Sequence, residues 1–215
     1  MKQVTMQIDG IEVKAQEGMT ILQAAEQVGI EIPTLCHDDR LAPYGACRLC
    51  SVEITRGGRS RVVASCVYPV EEGLVVNTES PRVLKIRKVI LELLQSRSPG
   101  LREELAERYD VDNTRLERDP TFCILCGLCV RYCAEVKKAN ALGFVGRGTT
   151  RQVVFYPEIA VKTCPTCREC FNICPTGVIP SDFAVSVPRF EKQPTIFPVR
   201  LRDEYNLRSL QDKIA

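Results

Sequence analysis

The stretch Cys164-Pro165-Thr166-Cys167-Arg168-Glu169-Cys170-Phe171-Asn172-Ile173-Cys174-Pro175 is the most informative in the chain. Cysteine recurs at every third position three times, and a fourth follows and precedes proline. Three thiolates at this spacing can wrap one compact inorganic centre from a single tight loop, leaving a corner for a remote residue. The spacing occurs once more, at Cys123, Cys126, Cys129 and Cys133, with Ala134 where the proline would stand. This pattern holds [4Fe–4S] clusters, the fourth cysteine of each run reaching across to the other cluster. One cubane is therefore expected on Cys123, Cys126, Cys129 and Cys174, and a second on Cys133, Cys164, Cys167 and Cys170. Zinc, which also takes Cys-x2-Cys pairs, is the alternative occupant.

Four more cysteines stand at Cys36, Cys47, Cys50 and Cys66. A loop supplies three thiolates and a later strand the fourth, the logic of a rhombic [2Fe–2S] site, although the first spacer is longer than in the plant-type pattern. Gly45 and Ala46 allow backbone N–H groups to approach the sulfides. A four-cysteine zinc site is again the alternative. The three groups use all 12 cysteines. His37, the lone histidine, adjoins Cys36 and is read as a neighbour of the site rather than a ligand. Adjacent Cys-x2-Cys pairs are poor structural disulfides, and ligand spacing in a reducing compartment points to metal or cluster binding.

Composition narrows the function classes. A net charge of +2 over 215 residues argues against a nucleic-acid surface. No apolar run approaches the roughly 18 residues that would span a bilayer. The segment Met1–Asp9 alternates apolar and polar residues and has no signal-peptide core, so a cytoplasmic location is expected. No nucleotide fingerprint, nucleophile–base pair or open metal position stands out, so no catalytic residue is expected.

The fold class read from the sequence is α+β. Residues 1–80 form a small mixed domain. Val4–Ile8 and Ile11–Ala15 flank the hairpin turn Asp9-Gly10. Thr20 and Gln23 form a capping box for a helix that ends at Gly29, with Ile21, Leu22, Ala24, Ala25 and Val28 on its apolar face. Strand-like runs follow at Val52–Thr55, Val62–Val67 and Leu74–Thr78. Residues 81–118 form a short helical linker. Ser80-Pro81 caps its first helix, whose apolar stripe is Val83, Ile86, Val89, Ile90, Leu93 and Leu94. Lys85, Arg87 and Lys88 are read as a solvated face. Ser98-Pro99 starts a second short helix with Leu101, Leu105 and Tyr109 inward. Residues 119–180 carry the two cubane runs, joined by a hairpin of Leu142–Gly148 and Val153–Tyr156. Phe122, Ile124, Leu125, Leu128, Phe171, Ile173 and Val178 are expected to screen the cubanes from water. Residues 181–215, with Pro188, Pro194 and Pro198 and an apolar face of Leu207, Leu210 and Ile214, form a C-terminal docking arm.

Pro33-Thr34-Leu35-Cys36-His37 with Gly45-Ala46-Cys47-Arg48-Leu49-Cys50-Ser51-Val52-Glu53 resembles the N-terminal region of the large iron–sulfur subunit of complex I. It is similar also to that region of iron-only hydrogenases, certain formate dehydrogenases, and the small diaphorase subunit of NAD-linked nickel–iron hydrogenases. Gly143-Phe144 with Arg147-Gly148 shares the likeness, which covers roughly residues 1–180 and all twelve cysteines. The resemblance implies a β-grasp [2Fe–2S] ferredoxin-like domain followed by a bacterial two-[4Fe–4S] ferredoxin-like domain. Many such relatives hold an extra cubane on one histidine and three cysteines between these domains. Residues 81–118 contain none of those ligands, so that cluster is expected to be missing here. The implied function is electron relay between a flavin/NAD(P)H-binding, diaphorase-type subunit and a hydrogenase or formate dehydrogenase catalytic subunit. A freestanding ferredoxin-like carrier and a zinc-stabilised interaction module are the competing readings.

Overall fold

The computed structural model describes residues 2–118 and 120–192. They form two compact units, one of Met1–Leu128 with Cys174–Gly177, the other of Cys129–Ile173 continuing from Val178. The chain is mixed α+β, as read from the sequence.

In the first unit, β1 (Gln3–Ile8) and β2 (Ile11–Gln16) pair antiparallel in register from Gln3–Gln16 to Ile8–Ile11. Their two-residue turn places Asp9 at φ 50° and Gly10 at φ 82°, the mirror-image geometry that matches strand twist and that glycine adopts without strain. Three more strands, β3 (Ser51–Arg56), β4 (Arg59–Ala64) and β5 (Val75–Asn77), complete a sheet of order β2-β1-β5-β3-β4. Only the β1–β5 pair is parallel. Helix α1 (Ile21–Gln27) lies on this sheet. Its capping box is made as expected: Gln23 N donates to Thr20 Oγ1 at 3.3 Å, and Thr20 N donates to Gln23 Oε1 at 2.9 Å. Ile21, Leu22, Ala24 and Ala25 are buried against Met6, Ile8, Val13, Val52 and Val76. Each large side chain so buried contributes about 1.5–3 kcal/mol. Val28, expected on that face, is 37% exposed, because the helix has already ended there.

The linker departs from its expected packing. Helix α2 (Pro81–Arg97), capped by Ser80, packs on β3, but its inward residues are Val83, Arg87, Leu91, Glu92 and Gln95. Of the expected stripe only Val83 is buried; Leu93 is 53% exposed. Arg87, read as solvated, is 1% exposed. The helix is rotated because the buried polar groups find partners elsewhere in the unit. Arg115 donates to Glu92 Oε2 at 2.8 Å, and Gln95 Nε2 donates to the Leu101 carbonyl at 2.9 Å. The next helix, α3, begins at Glu103 rather than after Ser98, because Arg102 adopts a left-handed conformation, and it ends at Arg108. Leu101, Leu105 and Tyr109 are buried as expected.

In the second unit a helical segment begins as α4 (Leu128–Arg131) and widens into a π-helical turn at Tyr132–Val136. Strands β6 (Leu142–Val145) and β7 (Gln152–Phe155) form the expected hairpin. Helix α5 (Pro157–Cys167) carries two cysteines on its last turns. Helix α6 (Val178–Lys192) packs on α5, so the start of the expected arm is helical, with Pro188 inside it. Phe183 of α6 meets Phe155 and Phe171 edge to face. Pro194, Pro198, Leu207, Leu210 and Ile214 lie outside the described residues. Among the described residues no helix is long and apolar enough to cross a membrane.

Candidate iron–sulfur centres

None of the twelve cysteines is in a disulfide, and none is exposed. In the first unit the sheet brings Cys36, Cys47, Cys50 and Cys66 together. Cys36 lies on the loop after α1, Cys47 and Cys50 on the turn that leads into β3, and Cys66 just beyond β4. The four associate two by two. Cys47 N donates to Cys36 Sγ at 3.3 Å, and Cys50 Sγ stands 3.3 Å from Cys66 Sγ. Cys47 is held down to about 6, first by its hydrogen bond with the Cys36 side chain and then by backbone N–H groups of Leu49, Leu35 and Cys36. Cys50 is held down to about 6 in the same way by Cys66. The partners Cys36 and Cys66 are pushed up by that shared proton and by burial. Metal binding releases the protons that such thiols still carry. Two pairs match a rhombic cluster, in which each of two irons takes two thiolates.

Local backbone explains why the loop approaches so closely. Gly45, at φ 70°, would put a Cβ 3.3 Å from Val67 Cγ1. Arg48, between the ligands, is left-handed at φ 62°. Left-handed residues also flank the other groups: Phe122 precedes Cys123, Leu125 precedes Cys126, and Arg168 follows Cys167. Alternating handedness turns successive N–H groups toward one side, a concavity suited to an anionic centre.

The first unit also gathers Cys123, Cys126 and Cys174. Burial pushes Cys126 up to about 12, and the charges of Cys174, Cys123 and Cys47 add to that. Cys129 sits in the first turn of α4, buried. In the second unit Cys133, Cys164, Cys167 and Cys170 line one small cavity, partly open to solvent, with Ala141, Leu142 and Phe171 in its wall. Cys133 lies on the π-helical turn, and its sulfur accepts the Ala141 N–H at 3.1 Å. Burial, then the neighbouring thiols, Cys133 among them, raise Cys164 to about 11 and Cys170 to about 12. Cys133 therefore lies with the later cysteine run, and Cys174 with the earlier one. Polar groups rim this cavity: Tyr132 donates to Glu169 at 2.7 Å, and Glu169 also holds Lys137.

Of the residues expected to screen the cubanes, Leu128 is buried; Phe122, Ile124, Leu125, Phe171, Ile173 and Val178 are half-buried. His37 hydrogen-bonds Asp39 at 3.2 Å. Sequence reasoning missed Arg87, for which no sequence signal exists beyond a cation placed in a helix.

Comparison with known proteins agrees with this geometry. Residues 1–81 match the 2Fe-2S iron–sulfur cluster binding domain family. Residues 114–180 match the ferredoxin-like domain of NADH-quinone oxidoreductase subunit 3. The NADP-reducing hydrogenase subunit HndD of Solidesulfovibrio fructosivorans is 33% identical over 83% of this chain and 36% of its own length. The NADPH-Fe(3+) oxidoreductase subunit alpha of Geobacter sulfurreducens is 33% identical over 91% of this chain and 26% of its own. The mitochondrial NADH-ubiquinone oxidoreductase 78 kDa subunit of Candida albicans is 30% identical over 84% of this chain and 29% of its own. The chain thus spans about a third or less of these relatives. The crystal structure of an NAD+-reducing [NiFe]-hydrogenase in the H2-reduced state contains a chain similar at TM-score 0.62 and 28% identity, over 71% of this chain and 74% of that one. The chain carries, in order, a 2Fe-2S iron–sulfur cluster binding domain and the ferredoxin-like domain typified by NADH-quinone oxidoreductase subunit 3.

Proposed function

We propose that this chain is an electron-transfer iron–sulfur subunit of a multi-subunit redox complex. It would stand between a flavin- and NAD(P)H-binding, diaphorase-type subunit and a catalytic subunit of the hydrogenase or formate dehydrogenase type, in the cytoplasm. Cys36, Cys47, Cys50 and Cys66 would hold a [2Fe–2S] cluster. Cys133, Cys164, Cys167 and Cys170 would hold one [4Fe–4S] cluster, and Cys123, Cys126 and Cys174, with Cys129 supplied by its spacing, another.

The observation that carries this reading is the exchange of Cys133 and Cys174 between the two runs, which supports a crossed two-cubane arrangement. When bound, such clusters take up and release single electrons. The chain's own part is to bury the thiolates, to aim N–H groups at their sulfurs and to set their spacing. Cys47 lies near enough to Cys126 for its charge to act there, which supports neighbouring [2Fe–2S] and [4Fe–4S] sites without an intervening cluster. Relatives whose names describe NADH- or NADPH-linked oxidoreductases and hydrogenases support the nature of the partners.

Anaerobic purification followed by iron and labile-sulfide analysis tests the reading. About ten irons per chain are expected from these cluster types. Zinc in place of iron, with no labile sulfide, would overturn it.

A further inference from the structure

Arg87 and Glu92 are both buried charges on the inward face of α2, but their partners differ. Glu92 is matched by Arg115. Arg87, 1% exposed, meets neutral groups: Nη2 donates to the Ser51 carbonyl at 2.9 Å and Nη1 to the Tyr109 hydroxyl at 3.2 Å. Its Nε has no hydrogen-bond partner among the described residues. A buried cation without a compensating anion is costly and is normally paired. An arginine cannot escape that cost by losing its proton.

Ser51 directly follows Cys50, the most deeply buried cysteine of the first group at 1% exposure. The Cα atoms of the two residues are about 3.8 Å apart, and the Ser51 carbonyl stands on the next peptide unit. A rhombic cluster on four thiolates carries a net negative charge that grows by one on reduction. We propose that Arg87 is a positioning residue whose buried charge is matched by the [2Fe–2S] centre, raising that centre's reduction potential while its hydrogen bond fixes the Ser51 peptide. The inference rests on the reading that Cys36, Cys47, Cys50 and Cys66 hold this cluster. A unit charge about 10 Å from the cluster, with an effective dielectric of about 20, would shift a one-electron equilibrium on the order of tenfold.

The test is a redox titration of the rhombic electron paramagnetic resonance signal in the full chain. Arg87→Met should lower the one-electron reduction equilibrium about tenfold, about 59 mV, while Arg87→Lys, which keeps the charge, should restore most of it. The cubane signals serve as internal controls and should move far less. An unchanged midpoint in Arg87→Met would overturn the proposal. Should that variant fail to assemble the cluster, Arg87→Lys decides: a midpoint near that of the parent supports a role for the charge, and a tenfold fall, or failure to assemble, overturns it. A rhombic signal that survives Cys50→Ala would instead sink the ligand assignment, independently of Arg87.

Discussion

Replacing Cys133 with alanine separates the crossed ligand arrangement from a sequential one. Cys133 is 7% exposed and shares its cavity with Cys164, Cys167 and Cys170. On the proposed crossed assignment, removing it would strip one corner from the cubane of the later cysteine run, although Cys133 itself belongs to the earlier run. The change also leaves the Ala141 N–H without its acceptor, a loss of about 1–3 kcal/mol for a buried donor. Such a loss loosens the hairpin entry at β6 without unfolding a domain of ordinary stability. Iron should fall from about ten to about six per chain, one cubane's worth. The assay is iron quantification with low-temperature electron paramagnetic resonance of the reduced protein, comparing Cys133→Ala, Cys164→Ala and Cys126→Ala. The first two should lack the same signal and retain the one lost from the third. The reasoning is refuted if Cys133→Ala instead matches Cys126→Ala.

Two smaller perturbations probe the scaffold. Gly45→Ala forces an L side chain to φ 70° and a Cβ to 3.3 Å from Val67, a strain of about 1–2 kcal/mol; the rhombic signal should be lost at lower temperature than the cubane signals, and an unchanged thermal profile would show that the loop does not need the left-handed residue. Asp182 on α6 is raised by burial from 3.8 to about 6. The folded chain therefore holds that proton more tightly than the unfolded one, and stability falls as pH climbs from about 3.8 to about 6 and stays reduced above. Asp182→Asn escapes this. In denaturant titrations it should gain about 1–3 kcal/mol over the parent at pH 7.5, the half-buried setting keeping it below the full figure, and less at pH 5. An equal gain at both values would rule the carboxylate out as the cause.

The cysteine spacings were readable because they are set by local chain geometry: a thiolate every third residue wraps one centre whatever surrounds it. The same holds for the Asp9-Gly10 turn and the Thr20–Gln23 capping box, whose partners lie within a few residues. Periodicity found α2 but chose the wrong inward face. Apolar spacing reports which side of a helix prefers to be dry, and here that preference was overridden by partners at Ser51, Leu101, Tyr109 and Arg115. The helix Val178–Lys192 was not expected, because Pro188 inside it reads locally as a break.

By itself the sequence determined the number of cysteine groups, their loop geometry and the α+β class, since each depends on contacts between near neighbours. The tertiary structure alone decided that the first group sorts into the pairs Cys36 with Cys47 and Cys50 with Cys66. It alone decided that Cys47 comes within electrostatic reach of Cys126, and that an arginine is buried against the Ser51 carbonyl. Those outcomes hinge on residues brought together across tens of positions, where the energy of burying a charge or thiol is offset by groups that no local pattern announces.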